Sequence, residues 1–275
     1  MRKFFAKFFL ISFLISFIFS LVIFWVWLTL PSAKEIKGCM ITSMYQVNLC
    51  PTSGQYVKLS QISPFVKKAV LASEDSLFYN HKGFDWESLQ KTVEHDLKKG
   101  KFARGGSTIT QQLAKNLFLS KDKTLWRKFK EAWITVRIEE NLTKSEILEK
   151  YLNVVQFGKN IFGVKKASQF YFKKHPSQLT LNESAFLAFL LPSPEKYSIS
   201  FFRKELTRFA RKRMKTIITG LYKAHSINEG VYTEAISSLD YFPNQPSVKV
   251  EEPQEAREAP EITEQQLEDL PREDE

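Results

Sequence analysis

Cysteine is scarce in this 275-residue chain: only Cys39 and Cys50 are present. Histidine is almost as rare, with His81, His95, His175 and His225. No Cys/His spacing suggests zinc, and no His-Glu-x-x-His run offers a metalloprotease helix. No stretch alternates apolar and polar residues over a useful length and no segment repeats, so sheet sandwiches, barrels and solenoids are without support. Two local absences say more. Charge is missing from Phe8 to Leu30, and acid is missing from Gly105 to Ser120.

The first gap is 23 residues of mainly Phe, Leu, Ile and Val. At about 1.5 Å per residue it is long enough to cross a bilayer core of roughly 30 Å. Arg2, Lys3 and Lys7 precede it, which places the N-terminus in the cytoplasm and the rest outside. Trp25 and Trp27 lie near the far end, where amphipathic rings favour the interface. A cleaved signal peptide is the alternative, but its apolar core spans about 7–15 residues and ends at a small-x-small site. Leu28-Thr29-Leu30-Pro31 is a poor match. One N-terminal transmembrane helix over 8–30 is expected, with residues 1–7 cytoplasmic. In the oxidising exterior, Cys39 and Cys50 are expected to close a short loop above the anchor, two free thiols being the alternative.

The net charge of +10 hides an asymmetry. Residues 249–275 carry 11 acids and 3 bases, so the remainder stands at +18. The acidic stretch has three prolines and no aromatic residue and reads as a disordered tail over 243–275. A basic ectodomain on a membrane suits anionic head groups, pyrophosphate or acidic glycan. The outward topology argues against nucleic acid.

Helical patterns cover nearly all of the rest, so an all-α domain is expected over 61–242, above a stem at 31–60 whose turn formers and β-branched residues read as a small hairpin or an extended segment. Ser63-Pro64 reads as N-cap and first-turn proline for a helix to about Ser73. Asp85 caps a helix with Leu89, Val93 and Leu97 inward, stopped by Gly100. Thr124 opens another, with Leu125, Phe129, Ala132, Trp133 and Val136 as its buried stripe. Thr143/Glu146 and Thr180/Glu183 both fit the capping box. The second precedes a helix over 184–191 that is apolar nearly all round, and so central. A basic helix is expected from Phe201 to about Lys223, and a short one near 230–238.

The acid-free run is the most specific stretch. Gly105 and Gly106 free the backbone, Ser107 offers an N-cap oxygen, and Ile109, Leu113 and Leu117 recur at helical spacing. The other face carries Thr108, Gln111, Gln112, Lys115 and Asn116. That face suits a polyhydroxylated or phosphorylated ligand; composition alone equally allows a polar surface helix. Glu74 and Asp75 stand at a helix C-terminus, where the dipole disfavours a negative charge and so favours a base. Phe78, His81, Gly83 and Asp85 follow in one turn-rich segment. Arg127 and Glu131 are four apart on one helix face, with Lys128 beside them. Read plainly this is a surface ion-pair helix; read functionally, it is a cationic clamp for phosphate around a carboxylate kept ionised.

These residues resemble the peptidoglycan glycosyltransferases of family 51. Four blocks carry the likeness: Glu74-Asp75-x-x-Phe78-x-x-His81-x-Gly83-x-Asp85; Gly105 to Asn116; Arg127-Lys128-x-x-Glu131; and Lys144-x-x-Ile147-Leu148-Glu149-x-Tyr151-Leu152-Asn153. Arg211-x-Arg213 with Ile217-Ile218 is a weaker fifth. The likeness covers about residues 60–225. It implies a lysozyme-like, largely helical fold that polymerises lipid II into glycan strands, with inversion and with undecaprenyl pyrophosphate leaving. Glu74 would be the base for the acceptor hydroxyl, and Glu131 would work on the donor side. Lys115, Arg127 and Lys128 would neutralise the pyrophosphate, with Mg or Mn as an optional divalent cation. Ser107, Thr108, Gln111, Gln112 and Asn116 would grip sugar and phosphate oxygens. Asp75, Phe78, His81, Gly83, Glu149, Tyr151 and Asn153 would line or brace the cleft.

The implied partners are lipid II, nascent glycan, membrane lipid and other cell-wall synthases. The implied location is the cytoplasmic membrane, with the catalytic domain outside. Leu117-Phe118-Leu119 with Leu125-Trp126 could form a rim dipping into lipid, or a buried turn. Gln156 departs from the stand-alone members, which often carry an acid there. Ser88-x-x-Lys91 and Ser193-x-x-Lys196 lack a following Lys-Thr-Gly, so no penicillin binding is expected. A glycan-cutting hydrolase and a membrane scaffold with a dead site are the rival functions.

Overall fold

The structure is a computed structural model that describes residues 2–90, 92, 106–122 and 124–242. Gly100, Gly105, the inward positions Val93 and Leu97, and the acidic tail lie outside the described residues. Arg2–Leu28 forms a 27-residue helix, α1. Several of its side chains, Phe8, Trp25 and Trp27 among them, also lie outside the described set. Among the described residues no helix is long and apolar enough to cross a membrane.

After the short α2 (Ala33–Lys37) come the helices of the domain, two of which, over 164–172 and 194–197, are not expected from the sequence. These are α3 (Pro64–Glu74), α4 (Ile109–Phe118), α5 (Leu125–Asn141), α6 (Lys144–Val154), α7 (Val164–Phe172) and α8 (Leu181–Leu190). Then come the one-turn α9 (Pro194–Tyr197) and α10 (Ile199–Phe202), α11 (Arg208–Lys223) and α12 (Glu229–Ser238). Ser63 caps α3 with proline in its first turn, and capping boxes open α6 and α8. Asp85 accepts from the Ser88 amide at 2.9 Å, as an N-cap does. All ten residues of α8 are buried. It is the axis of the domain, with α3 and α11 packed on it; α4 packs on α5 and α6 in a second group.

Four expectations need correction. The basic helix is broken: α10 and α11 are separated at 203–207, where Lys204 is left-handed at φ 54°. The domain is not wholly helical. Gln156–Gly158 pairs antiparallel with Ile161–Phe162 around left-handed Asn160, a hairpin too short to show alternation in sequence. A second pairing, Ile41 with Asn48, lies inside the loop closed by the Cys39–Cys50 disulfide. The stem is no spacer either: Ile36, Leu49 and Val57 are part of the same buried cluster as α8. The largest departure is in α5. Its buried residues are Glu131, Ile134, Thr135 and Ile138, whereas Leu125, Phe129 and Val136 are 91%, 44% and 43% exposed. Periodicity selects the more apolar face as the core; here the face with the carboxylate turns inward because cations wait there.

Gly163 enters α7 at φ 79°, and a Cβ there would lie 2.6 Å from the Asn153 carbonyl oxygen. Both the conformation and the contact require glycine. Gly163→Ala is expected to destabilise the domain by about 2–4 kcal/mol, from backbone strain plus overpacking. A denaturation midpoint equal to wild type would contradict this.

Candidate active site

Glu74 is the last residue of α3 and is half-buried. Its Oε2 accepts a 2.8 Å hydrogen bond from Gln112 Nε2 on α4. Burial pushes its carboxyl above the usual range; the Gln112 bond, Arg213 and Lys115 pull it back, and Asp75 adds to the rise. Position therefore matters more than the helix dipole alone.

Asp75 caps the same helix and is 7% exposed. Its Oδ1 meets His81 Nε2 at 2.9 Å, and its Oδ2 accepts from the Ile109 amide at 3.0 Å. It ties the end of α3 to the start of α4. Phe78 is 1% exposed, inside the core, with the Lys144 ammonium 4.5 Å from its ring. Gly83 has φ 89°, and a Cβ there would fall 2.7 Å from Thr135 Cγ2. Its carbonyl accepts from Thr108 Oγ1 at 2.7 Å. The α3–α4 junction is thus fixed by Asp75, His81 and Gly83 through protein contacts.

The N-cap of α4 is Thr108, one residue beyond Ser107. Thr108 and Gln111 form a reciprocal capping box, so the Gln111 side chain serves the helix end. Ser107 is left to accept from Lys128 Nζ at 3.3 Å. Asn116 is buried on α4. The signal was in the spacing: Gln111 lies three residues after Thr108, as a capping box requires, and four after Ser107.

Glu131 is 3% exposed and accepts from Lys128 Nζ. Lys115 stands on α4, and both carboxylates act on its charge. Burial is the main influence lowering its pKa; Arg127 and Lys128 push in the same direction, while Glu131 and Glu74 oppose them. One ammonium therefore feels both acids and both other cations. The buried Arg127 Nε has no hydrogen-bond partner among the described residues. Three cations crowd two carboxylates, and a donor is left over: an arrangement that an added anion would relieve.

The chain can be placed among known proteins at this point. The family model described as Transglycosylase matches residues 42–222. The chain belongs to the transglycosylase family. The match begins well before residue 60, in accord with a stem built into the core. Proteins named biosynthetic peptidoglycan transglycosylase are similar to it in Chromobacterium violaceum (50% identity, 52% of this chain and 63% of that one), Nitrosospira multiformis (41%, 64% and 76%) and Methylobacillus flagellatus (40%, 68% and 86%). Penicillin-binding protein 1A of Haemophilus influenzae aligns over 67% of this chain and 17% of its own, at 18% identity and a TM-score of 0.36, too loose a superposition to carry inference.

In this transglycosylase the fourth block works mainly on the stem. Glu149 accepts from Tyr56 Oη and from the Leu59 amide, the latter at 2.6 Å. Asn153 accepts from the Val57 amide and donates to the Val57 carbonyl, each at 2.8 Å. Tyr151 is fully buried, its hydroxyl 3.1 Å from Gln112 Oε1. At the departure from family pattern, Gln156 Nε2 donates to Glu195 Oε1 at 3.0 Å, so a carboxylate stands beside position 156. Sequence reasoning missed the network of Thr110, Lys144 and Glu139, in which both donate to Glu139 Oε1. Its signal was available: Lys144 lies in the fourth block, and Thr110 in the second. Asn153→Ala strands two buried backbone groups of Val57 and is expected to cost about 2–4 kcal/mol. Hydrogen exchange should rise first at residues 56–59; protection unchanged there would refute the latch.

Proposed function

We propose that this chain is a membrane-anchored peptidoglycan glycosyltransferase that polymerises lipid II in a lysozyme-like domain. The observation that carries the reading is Lys115, whose charge is coupled to Glu74 on one side and to Glu131, Arg127 and Lys128 on the other. That shared influence supports base and leaving-group machinery acting in one site.

The chemistry follows. A sugar hydroxyl is a weak nucleophile, so its proton must pass to a carboxylate as it attacks, worth typically 10²–10⁴-fold. Glu74 takes the proton from the acceptor's 4-hydroxyl. The oxygen forms a bond to the donor's anomeric carbon from the face opposite the pyrophosphate. The C–O bond to pyrophosphate breaks with its electron pair, and the anomeric centre inverts. Lys115, Arg127 and Lys128 receive the negative charge, the largest stabilisation available to such a step. Glu131 keeps Lys128 in place through their ion pair. Among the described residues no group of three His, Cys, Asp or Glu side chains could hold a metal. An optional Mg or Mn would sit at the pyrophosphate, and no step is routed through it. A hydrolase would leave these cations without work, because its leaving group is an uncharged alcohol.

Anchoring is part of the same proposal. Residues 8–28 of the uncharged run lie in the 27-residue α1. The exposed side chains of Phe9, Phe13 and Phe17 have no polar reason to face water. The outward edge of α5 adds Leu125 and Trp126, the latter stacked on Phe129 at 5.8 Å. Leu117 and Leu119 are buried and cannot join that rim. The Cys39–Cys50 bridge fits an oxidising exterior. The location is the outer face of the cytoplasmic membrane, where lipid II, nascent glycan and other synthases would meet the domain.

With labelled lipid II and purified protein in detergent, Glu74→Gln is expected to lower polymerisation at least about 10²-fold. The same variant should melt higher than wild type at neutral pH. Folding raises the Glu74 carboxyl, so the folded chain holds that proton more tightly than the unfolded one. Stability therefore falls as pH climbs from the ordinary carboxylate range through the raised value, and glutamine has no charge to bury. Full activity in Glu74→Gln would end the base assignment. Arg127→Ala should raise KM for lipid II or lower kcat with little change in melting; lower melting with an unchanged rate would make Arg127 structural.

A further inference from the structure

We propose that Gln112 and Tyr151 are positioning residues for the Glu74 carboxylate rather than ligands of the sugar. The inference rests on Glu74 being the base, and adds what holds that base in place.

The chain of contacts runs through three helices. Tyr151 Oη, from α6, donates to Gln112 Oε1 at 3.1 Å, and Gln112 Nε2, from α4, donates to Glu74 Oε2, at the end of α3, at 2.8 Å. The polarity of this chain is forced. An ionised carboxylate only accepts, so the amide must present nitrogen to Glu74 and oxygen to Tyr151. A hydroxyl facing that oxygen must donate. The Tyr151 ring is wholly buried, and burial together with the Glu74 and Asp75 charges lifts the phenol well above its usual range. It keeps its proton at any working pH and remains a donor. Rotating the amide by half a turn would set its oxygen against the carboxylate, and the tyrosine makes that still less favourable.

Two consequences follow. Oε2 of Glu74 is held, and among the described residues no hydrogen bond occupies Oε1, which leaves that oxygen for an incoming hydroxyl. The hydrogen bond also favours the ionised form of a carboxyl whose burial favours the neutral one. Lys115 from α4 and Arg213 from α11 act in the same sense, and Asp75 acts against them. Of these influences only the Gln112 bond is directional, so only it can aim the oxygen as well as charge it.

The test compares wild type with Tyr151→Phe, Gln112→Met, the double variant and Glu74→Gln. All are full-length chains in detergent with labelled lipid II, read as kcat, KM and the pH profile of kcat/KM. Tyr151→Phe keeps the ring and removes one neutral hydrogen bond, so kcat is expected to fall about three- to tenfold, KM to stay within about twofold, and the acid limb to move to higher pH. Gln112→Met should shift the same limb further, and the double variant should be no worse than Gln112→Met alone, because both act on one chain of bonds. A rise in KM with an unmoved acid limb would make Gln112 a substrate ligand and overturn the inference. Lower melting with unmoved limb and kcat would make Tyr151 merely structural and overturn it equally. Activity retained by Glu74→Gln would instead remove the base reading itself. If Gln112→Met does not fold, infrared titration of the carboxylate band that Glu74→Gln abolishes decides on Tyr151→Phe alone. A titration shifted upward supports the relay, and one superimposed on wild type refutes it.

Discussion

Taking ions out of water is the constraint on which the rest of the structure depends. Glu74 and Lys115 both lose solvation where α3 ends and α4 passes, and each is pushed toward its neutral form by burial. Among the described residues neither has a dedicated ion-pair partner. Glu74 has a neutral amide, Lys115 has mutual influence with several charges, and Glu131 is paired with a lysine whose side chain is half in solvent. Such an arrangement is costly for an empty protein, and proteins keep costly polar groups where they act on something. An anionic donor and a neutral hydroxyl acceptor are the species that this imbalance suits.

The surrounding scaffold can be understood as what keeps those ions from rearranging. Asp75 joins the end of α3 to the first amide of α4, and Gly83 lets its own carbonyl reach the Thr108 cap. The α4 helix therefore enters at a fixed angle, with Gln112 and Lys115 one turn apart on the inward side. Behind it, α6 is locked to the stem by Glu149 and Asn153. The stem is locked to α4 in turn through the Ser43 amide on the Leu117 carbonyl, at 2.9 Å. Residues 39–59 thus form part of the wall rather than a tether, which explains why two polar residues of α6, Glu149 and Asn153, are spent on holding backbone.

Helices were legible because their signals are local. Ser63-Pro64 and the Thr/Glu capping boxes at 143 and 180 need only near neighbours in the chain, and the all-apolar face of α8 can only be buried. The positions of Glu74, Lys115, Arg127 and Glu131 were legible through their motifs. The buried face of α5 was not, because periodicity weighs apolar residues and cannot know that the Lys115 cation of α4 acts on Glu131. Nor was the role of Asn153 or Glu149 legible: side chains that bond a distant backbone leave no spacing pattern, since Val57 lies 96 residues from Asn153. Short turns such as the one at Asn160 fall below the length at which alternation can be seen.

The outward edge of α5 carries the last step. A helix of a water-soluble domain has no reason to leave Leu125 at 91% exposure beside a stacked Trp126 and Phe129, with Lys130 5.7 Å from the Trp126 ring. An apolar edge with an ammonium above an indole is the composition of a membrane interface. The opposite side of the same helix holds Glu131 and Thr135 in the interior. One helix thus separates an apolar surface from the ionic cleft by its own diameter, about 10 Å. In the proposed reaction, that distance would let a lipid whose tail stays in the bilayer present its head group to Arg127 and Lys128, on the first turns of α5.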